Sequence, residues 1–128
     1  MKNCFCGAAE PYSKCCAPLH KGTIPATSAE KLMRSRYSAY VVSDIPYLIA
    51  STHISTRSGL SPKEIELWAK SNQWKGLEIV HADYATVEFK AMYRDRSGKM
   101  QVHHEKSTFI HEDGHWFYVD GIFDADIN

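Results

Sequence analysis

The sequence lacks an excess of charge of either sign. Its 128 residues include 15 Lys and Arg against 15 Asp and Glu, so the formal net charge is zero while the seven histidines are neutral. Proteins that bind nucleic acid depend largely on basic side chains that displace counterions from phosphates. Charge therefore gives no support to a nucleic-acid partner.

The sequence also lacks a long apolar run. The N-terminal residues Met-Lys-Asn-Cys-Phe-Cys-Gly contain no stretch suited to a signal peptide or a membrane anchor. We therefore expect a cytoplasmic protein without a transmembrane segment. Because 44% of the residues are hydrophobic and 12% are aromatic, the chain can build a packed core.

Several catalytic motifs are missing as well. The sequence contains no glycine-rich phosphate loop, no nucleophile elbow and no HExxH zinc motif. His104-Glu105 begins the last pattern, but Thr108 stands where the second histidine is required. These absences leave the phosphate-binding and metallohydrolase classes without support.

Cysteine is absent after position 16, and this is the most informative gap. All four cysteines fall at the start of the chain, at Cys4, Cys6, Cys15 and Cys16. Zinc accepts four thiolates in a tetrahedral shell, and such a closed shell leaves no position for a substrate. The cluster predicts a structural Zn²⁺ site.

Two disulfides are the alternative explanation. One of the three possible connectivities requires a strained bridge between the adjacent residues Cys15 and Cys16. A cytoplasmic setting keeps thiols reduced and favours a metal over disulfides. Iron or a redox role is a further alternative, and zinc is the metal that we expect.

The rest of the chain changes from a helical to a strand period. Residues 1–22 form the cysteine-bearing segment, called the knuckle below, and a short linker follows it. Thr27 and Glu30 form a capping box that predicts the N-terminus of the first long helix. Asp44-Ile-Pro46 predicts a second, shorter helix, and Ser61-Pro62 predicts a third.

From Trp74 onward, alternating apolar residues predict four strands over 77–81, 87–94, 100–111 and 116–123. Ser97-Gly98 and Asp113-Gly114 are the expected hairpin turns. Helices followed by an antiparallel meander indicate an α+β domain over residues 27–128.

Two-residue turns would set the register of this sheet. Phe109 would then face Tyr118, while Glu105 would face Ile122 on one side and Lys90 on the other, where it would form a cross-strand ion pair. One predicted face carries Val87, Phe89, Tyr93, Val102, Ile110, Phe117, Val119 and Phe123. The other carries Glu88, Lys90, His103, Glu105, Ser107, Phe109, Trp116, Tyr118 and Asp120. The helices can cover either face, and a one-residue bulge would exchange the assignment.

Two groups of residues resemble known families. Cys4-Phe-Cys6-Gly7 with Cys15-Cys16 resembles the SEC-C motif, the zinc knuckle at the C-terminus of the SecA translocation motor. Nearly the whole chain resembles the YchJ family of uncharacterised bacterial proteins. The residues that carry this second resemblance are Leu32-Met-Arg-Ser-Arg-Tyr-Ser-Ala-Tyr40, Tyr47-Leu48, His53, His104-Glu-Lys-Ser-Thr-Phe109 and Gly114-His-Trp-Phe-Tyr-Val-Asp-Gly121.

The resemblance implies an N-terminal SEC-C knuckle, with its metal on Cys4, Cys6, Cys15 and Cys16. It also implies a following domain similar to nuclear transport factor 2, a cone of about three helices on a curved four-stranded sheet. The knuckle departs from the SecA copy because it lacks the Gly-Ser-Gly and lysine-rich stretch and has only Lys14 between its cysteine pairs. The metal site transfers residue by residue, but the basic surface of the SecA copy does not. The resemblance therefore gives little support to SecB or phospholipid binding.

Cone-shaped domains of this type serve either as enzymes or as binding modules. We expect a binding or adaptor module whose metal-held knuckle presents apolar residues to a protein partner, unless these residues dock on the domain itself. They are Phe5, Tyr12, Pro18 and Leu19.

The alternative is a small-molecule carrier or enzyme with a pocket in the cone. Aromatic residues would line that pocket: Tyr37, Tyr40, Trp68 and Trp116. Glu105 and Asp120 are the candidate acid/base groups, and Arg36 is placed to orient an acidic ligand. The candidate histidines are His53, His103 and His104, of which the last two point to opposite faces of a strand. Plainer roles compete with each, since Asp120 can belong to a strand-end turn and His53 can cap a helix.

Overall fold

The computed structural model describes residues 2–123. Met1 of the predicted knuckle and residues 124–128 of the predicted domain lie outside the described residues. The helices, in chain order, are a 3-10 turn Tyr12–Lys14, α1 Ala17–His20, α2 Ala29–Val42, α3 Ile45–Ala50, α4 Ile54–Arg57 and α5 Pro62–Ser71. The strands are β1 Gln73–Ala82, β2 Thr86–Arg94, β3 Met100–Glu112 and β4 His115–Phe123. An α+β architecture is confirmed.

Side-chain caps fix the starts of the three main helices. Asp44 caps α3 and Ser61 caps α5, as predicted. The predicted cap of α2 was wrong by one residue, because Ser28 and not Thr27 accepts the hydrogen bond, from the Lys31 N–H at 3.0 Å. Either hydroxyl can serve, and α2 begins directly at its first buried residue, Ala29.

The sheet is an antiparallel meander in the order β1-β2-β3-β4. The Asp113-Gly114 turn has the positive φ values, 52° and 80°, that a type I′ hairpin requires, which confirms the prediction. The β2–β3 connection differs from the prediction because Arg94 pairs with Met100, which leaves five residues in the loop instead of two. Asp95 organises this loop by accepting from the backbone N–H groups of Ser97 and Lys99.

The longer loop moves the β2–β3 register by one residue. Lys90 faces His104 and Glu105 faces Phe89, so the expected Lys90–Glu105 ion pair was wrong. Between β3 and β4, Phe109 faces Tyr118 as predicted. A register shift at Thr108/Phe109 then places Phe123, not Ile122, opposite Glu105.

This register also decides which face the helices cover. The core combines α2 with one face of β2, β3 and β4, and its buried members are Ala29, Leu32, Met33, Tyr37, Val87, Phe89, Ala91, Phe109 and Trp116. Val87 and Phe89 were predicted on one face and Phe109 and Trp116 on the other. The one-residue shift unites them, so Glu105 and Ser107 face the core.

Within residues 2–123, no helix is both long enough and apolar enough to cross a bilayer.

Candidate functional site

The four cysteines converge on one point beside α2. Their sulfur atoms all lie within 4.8 Å of one another, and all four residues are buried. Cys6 Sγ lies 3.7 Å from Cys15 Sγ, which lies 3.9 Å from Cys16 Sγ, and none of the four is in a disulfide. A tetrahedral four-thiolate shell with bonds of about 2.3 Å has sulfur–sulfur edges of about 3.8 Å. The sulfur atoms therefore fit one tetrahedral metal ion.

Backbone turns bring the two cysteine pairs together. The Cys4 N–H donates to Glu10 O at 2.6 Å, and the Gly7 N–H donates to Cys4 O at 3.0 Å. Gly7 has a φ of 91°, a conformation that glycine adopts without strain. The second pair directly precedes α1, and Cys16 is the N-cap residue of that helix.

Side chains of α2 contact the cysteine cluster. Lys31 Nζ donates to Cys15 Sγ at 2.8 Å, and Arg34 Nη1 donates to Cys6 O at 2.7 Å. Ser38 Oγ lies 3.7 Å from Cys4 Sγ. Such contacts orient thiolate ligands, and the two cations offset the negative charge of a four-thiolate shell.

The thiols differ strongly in acidity. The hydrogen bond from Cys16 lowers the pKa of Cys6 to about 4, although burial opposes this shift. The same hydrogen bond, together with burial, raises the pKa of Cys16. Burial raises the pKa of Cys15 as well. Metal binding requires thiolates and therefore releases the protons that these groups retain.

A separate cavity of about 270 Å³ lies between the helices and the sheet. Most of its lining is apolar or aromatic, with a few convergent polar groups. The charged, polar and aromatic lining residues include Arg36, Tyr40, Trp68, Trp74, His103, Glu105 and Tyr118. This combination is typical of small-molecule sites.

Glu105 is the buried acid of this cavity, with only 6% of its surface exposed. His103 Nε2 donates to Oε1 at 2.8 Å, while Ser107 Oγ and the Tyr118 hydroxyl donate to Oε2 at 2.6 and 2.8 Å. Burial by itself raises the pKa of Glu105, but these three hydrogen bonds outweigh it and leave the pKa below its usual value. Glu105 is therefore a carboxylate with both oxygens engaged.

Gly121 faces Ser107 across the β3–β4 pair and leaves room for this carboxylate. A Cβ atom at position 121 would lie 2.7 Å from Glu105 Cδ, which is closer than real Cβ contacts. The absence of a side chain at Gly121 thus allows the Glu105 carboxyl group to occupy its position.

Arg36 is the buried cation of the cavity. Its Nη1 donates to the Leu48 carbonyl at 2.9 Å and lies within hydrogen-bonding distance of the Ser51 and Thr52 hydroxyls. Its guanidinium carbon lies 4.4 Å from the centre of the Tyr118 ring, a cation–π contact. Tyr118 therefore touches both charged groups of the cavity.

The structure brings together two of the four residues proposed as pocket candidates. Arg36 and Glu105 line the cavity, and His53 and Asp120 do not. His53 instead caps α4, with Nε2 3.2 Å from the Glu112 carboxylate, and Asp120 is exposed on β4. Among the aromatics expected there, Tyr37, Tyr40 and Trp68 line the cavity, whereas Trp116 packs in the core beside Tyr84.

Sequence reasoning missed Lys31 and Ser38 as neighbours of the cysteines. The available signal was their spacing, because positions 31, 34, 35 and 38 form one stripe along a helix. His103 was a candidate histidine and was placed on the Glu105 face, whereas Tyr118 was placed on that face without a role.

Most of the knuckle's apolar residues turn inward. Leu19 is buried, Pro18 is half-buried, and the half-buried Tyr12 donates its hydroxyl to His20 Nδ1 at 2.7 Å. His20 Nε2 in turn donates to Ser35 O of α2 at 2.8 Å. Phe5 is 47% exposed and lies against the Tyr12 ring.

Comparison with known proteins matches this architecture. Residues 28–121 match the family described as "YchJ, middle NTF2-like domain". A UPF0225 protein of Haemophilus influenzae is 37% identical, with 94% of this chain and 77% of that protein aligned. A UPF0225 protein of Geobacter sulfurreducens is 42% identical, with 92% and 77% aligned.

Two solved structures share the fold. The solution structure of RPA3114, a SEC-C motif containing protein from Rhodopseudomonas palustris, has a TM-score of 0.88 and 34% identity and aligns over 94% of this chain and 98% of that chain. The crystal structure of a SEC-C motif containing protein from Psychrobacter arcticus has a TM-score of 0.79 and 30% identity, with 100% and 86% covered.

Proposed function

The chain belongs to the YchJ family, and on that premise we propose that it is a small-molecule-binding protein whose knuckle is held together by a structural zinc ion. The cone cavity would take the ligand, and the knuckle would brace α2, which lines that cavity. The observation that carries this proposal is the cavity itself, which holds a buried cation and a buried anion within aromatic walls. A space used only for packing is normally filled with apolar side chains.

Binding is favoured over catalysis by the state of Glu105. Both of its oxygens accept hydrogen bonds within the protein, so it is placed to orient His103 and not to take a proton from a ligand. His103 is the group that would act as a general base if this cavity were catalytic.

Zinc is the metal that the donor set supports best. Four buried thiolates at tetrahedral spacing suit zinc or iron, and zinc needs no redox partner. We assign the knuckle to residues 1–22 and the cone domain to residues 27–128. A cytoplasmic location agrees with four unpaired thiols, because that compartment keeps cysteine reduced.

An adaptor role is the second candidate, and the exposed Phe5 ring favours it. Phe5 lies between two of the predicted metal ligands, so a bound metal would hold the ring rigidly for a protein partner. A Phe5→Ala variant that loses no partner in a pull-down, relative to wild type, would remove this candidate.

The test of the main proposal is a fragment screen observed by two-dimensional amide NMR. Binding fragments should shift the signals of Trp68, Trp74 and their neighbours. Ala91→Leu, which adds bulk to the cavity wall, should abolish these shifts. The control is Val102→Leu, which changes an exposed residue and should leave them intact. A screen without binders, or with binders whose shifts lie away from the cavity, would refute the proposal.

The metal is tested separately by elemental analysis of purified protein. We expect about one zinc per chain and its loss in Cys16→Ser. Protein that is free of metal, with four titratable thiols and an unchanged fold, would refute the zinc assignment.

A further inference from the structure

The charge of Arg36 has no anionic partner within residues 2–123. Only 7% of its surface is exposed, and no carboxylate of the described residues lies within 4.0 Å of it. Its hydrogen-bonding partners are one carbonyl and two hydroxyls, which are neutral. A buried charge without a counterion is costly, so an anion beside Arg36 would be favoured.

The geometry of the guanidinium leaves an edge available for that anion. Among the described residues, every hydrogen bond of the Arg36 side chain starts from Nη1, and Nε and Nη2 have no acceptor. No fully buried side-chain nitrogen in residues 2–123 lacks a partner, so Nε and Nη2 retain accessible surface. Arg36 is also one of the residues that line the cavity. The Nε–Nη2 edge is a fork that matches the two oxygens of a carboxylate.

Glu105 does not compete for this role. Its charge is already bound by three donors, and Tyr118 holds it through the hydroxyl while Arg36 contacts the Tyr118 ring. The position available to an anion is therefore beside Arg36 and not beside Glu105.

The other walls specify the body of the ligand. Trp74 lies 5.5 Å from both Tyr40 and Trp68, measured between ring centroids, and all three line the cavity. An aromatic ligand can pack against such a wall in edge-to-face or offset geometry. At about 270 Å³ the cavity is slightly smaller than the roughly 300–1,000 Å³ typical of drug-sized ligands, so the ligand is small.

We propose that the cavity selects a small aromatic carboxylate, whose carboxylate binds Arg36 and whose ring packs among Tyr40, Trp68 and Trp74. This inference rests on the proposed small-molecule function and adds the chemical class of the ligand.

Three probes with the same ring test the inference by calorimetry and amide NMR on the full chain: phenylacetate, phenylacetamide and phenethylamine. Phenylacetate should bind at least about tenfold more tightly than the neutral amide, the size expected of a charge-assisted hydrogen-bonded pair. The amine should bind most weakly. Arg36→Met should remove the preference for the carboxylate, and the exposed control Arg96→Met should retain it.

The outcomes separate this inference from the proposed function. Equal or tighter binding of the amide or amine in the cavity would overturn the carboxylate preference and leave the binding function standing. Failure of all three probes, together with failure of the fragment screen, would overturn both. If Arg36→Met does not fold, Arg36→Lys keeps the charge without the fork, and its carboxylate-to-amide affinity ratio should fall below that of wild type. An unchanged ratio in Arg36→Lys would overturn the bidentate contact.

Discussion

The knuckle and the cone domain are stabilised by different means, although they share one helix. In residues 2–22 of the knuckle the buried residues are the four cysteines with Ala17 and Leu19, too few to form a hydrophobic core. The cone has a core built from α2 and the sheet. We therefore expect the knuckle to need a metal to hold its shape, whereas burial of apolar surface stabilises the cone domain.

Helix α2 connects the two regions through opposite faces. Lys31, Arg34 and Ser38 contact the cysteine segment, while Arg36 and Tyr37 line the cavity. Contacts with the knuckle on one face of α2 restrict the motion of the residues on its other face. The knuckle can therefore preorganise the cavity without contributing a ligand contact.

Removal of the metal should produce the largest difference between the knuckle and the cone domain. Apparent binding free energies of structural zinc are on the order of 10–16 kcal/mol, and in a region without a core this energy is folding energy. We expect a strong chelator, or Cys16→Ser, to collapse the amide signals of residues 2–22 while those of β1–β4 keep their dispersion. Hydrogen exchange of the same samples should show faster exchange in α2.

The matched control is Ser13→Ala, which keeps all four cysteines and changes a residue of the exposed 3-10 turn. It should retain metal and knuckle signals. Loss of the sheet signals together with those of the knuckle would show that the two regions form one cooperative unit.

The sequence predicted the cone well where local patterns determine structure. Alternation identified the strands, and Asp113-Gly114 identified its hairpin because both positions need positive φ. The five-residue loop after Arg94 was not predictable from Ser97-Gly98, because Asp95 closes it through side-chain hydrogen bonds. Because this loop was predicted to be too short, Glu105 was expected to form a cross-strand ion pair with Lys90. In the structure it lies in a buried hydrogen-bond network.

Only part of the candidate site could be predicted from the sequence. Four cysteines in a short segment indicate a shared ion from spacing alone, and the fit of their sulfur atoms agrees with that. Arg36 and Glu105 were candidates, but their meeting at Tyr118 depends on how α2 crosses the sheet, which no local pattern encodes. His53 caps α4, as its plainer role predicted, and its Nε2 lies near Glu112 and not in the cavity.

Replacing one phenylalanine in each region compares how much apolar packing stabilises the cone domain and the knuckle. Phe109 is 2% exposed in the core of the cone, so Phe109→Ala should lower the free energy of unfolding by about 3–5 kcal/mol. Phe5 is exposed and lies against Tyr12, so Phe5→Ala should cost about 1 kcal/mol or less. Urea unfolding of the metal-loaded protein, followed by far-ultraviolet circular dichroism, measures both. Similar costs for the two variants would mean that the regions are not stabilised differently.

The last comparison concerns two glycines within the cone. A methyl group at Gly121 would overlap the Glu105 carboxyl group, so Gly121→Ala should destabilise the fold by about 1–3 kcal/mol and disturb the His103, Ser107 and Tyr118 hydrogen bonds. Gly76→Ala is the control, because its added methyl would meet only Met92 Cε at an ordinary 3.5 Å. Alanine in a strand is favoured over glycine by roughly 0.5–1 kcal/mol, so this variant should be neutral or slightly more stable. If thermal unfolding ranked the two variants equally, Gly121 would not be required by Glu105, and the buried carboxylate would have other positions open to it.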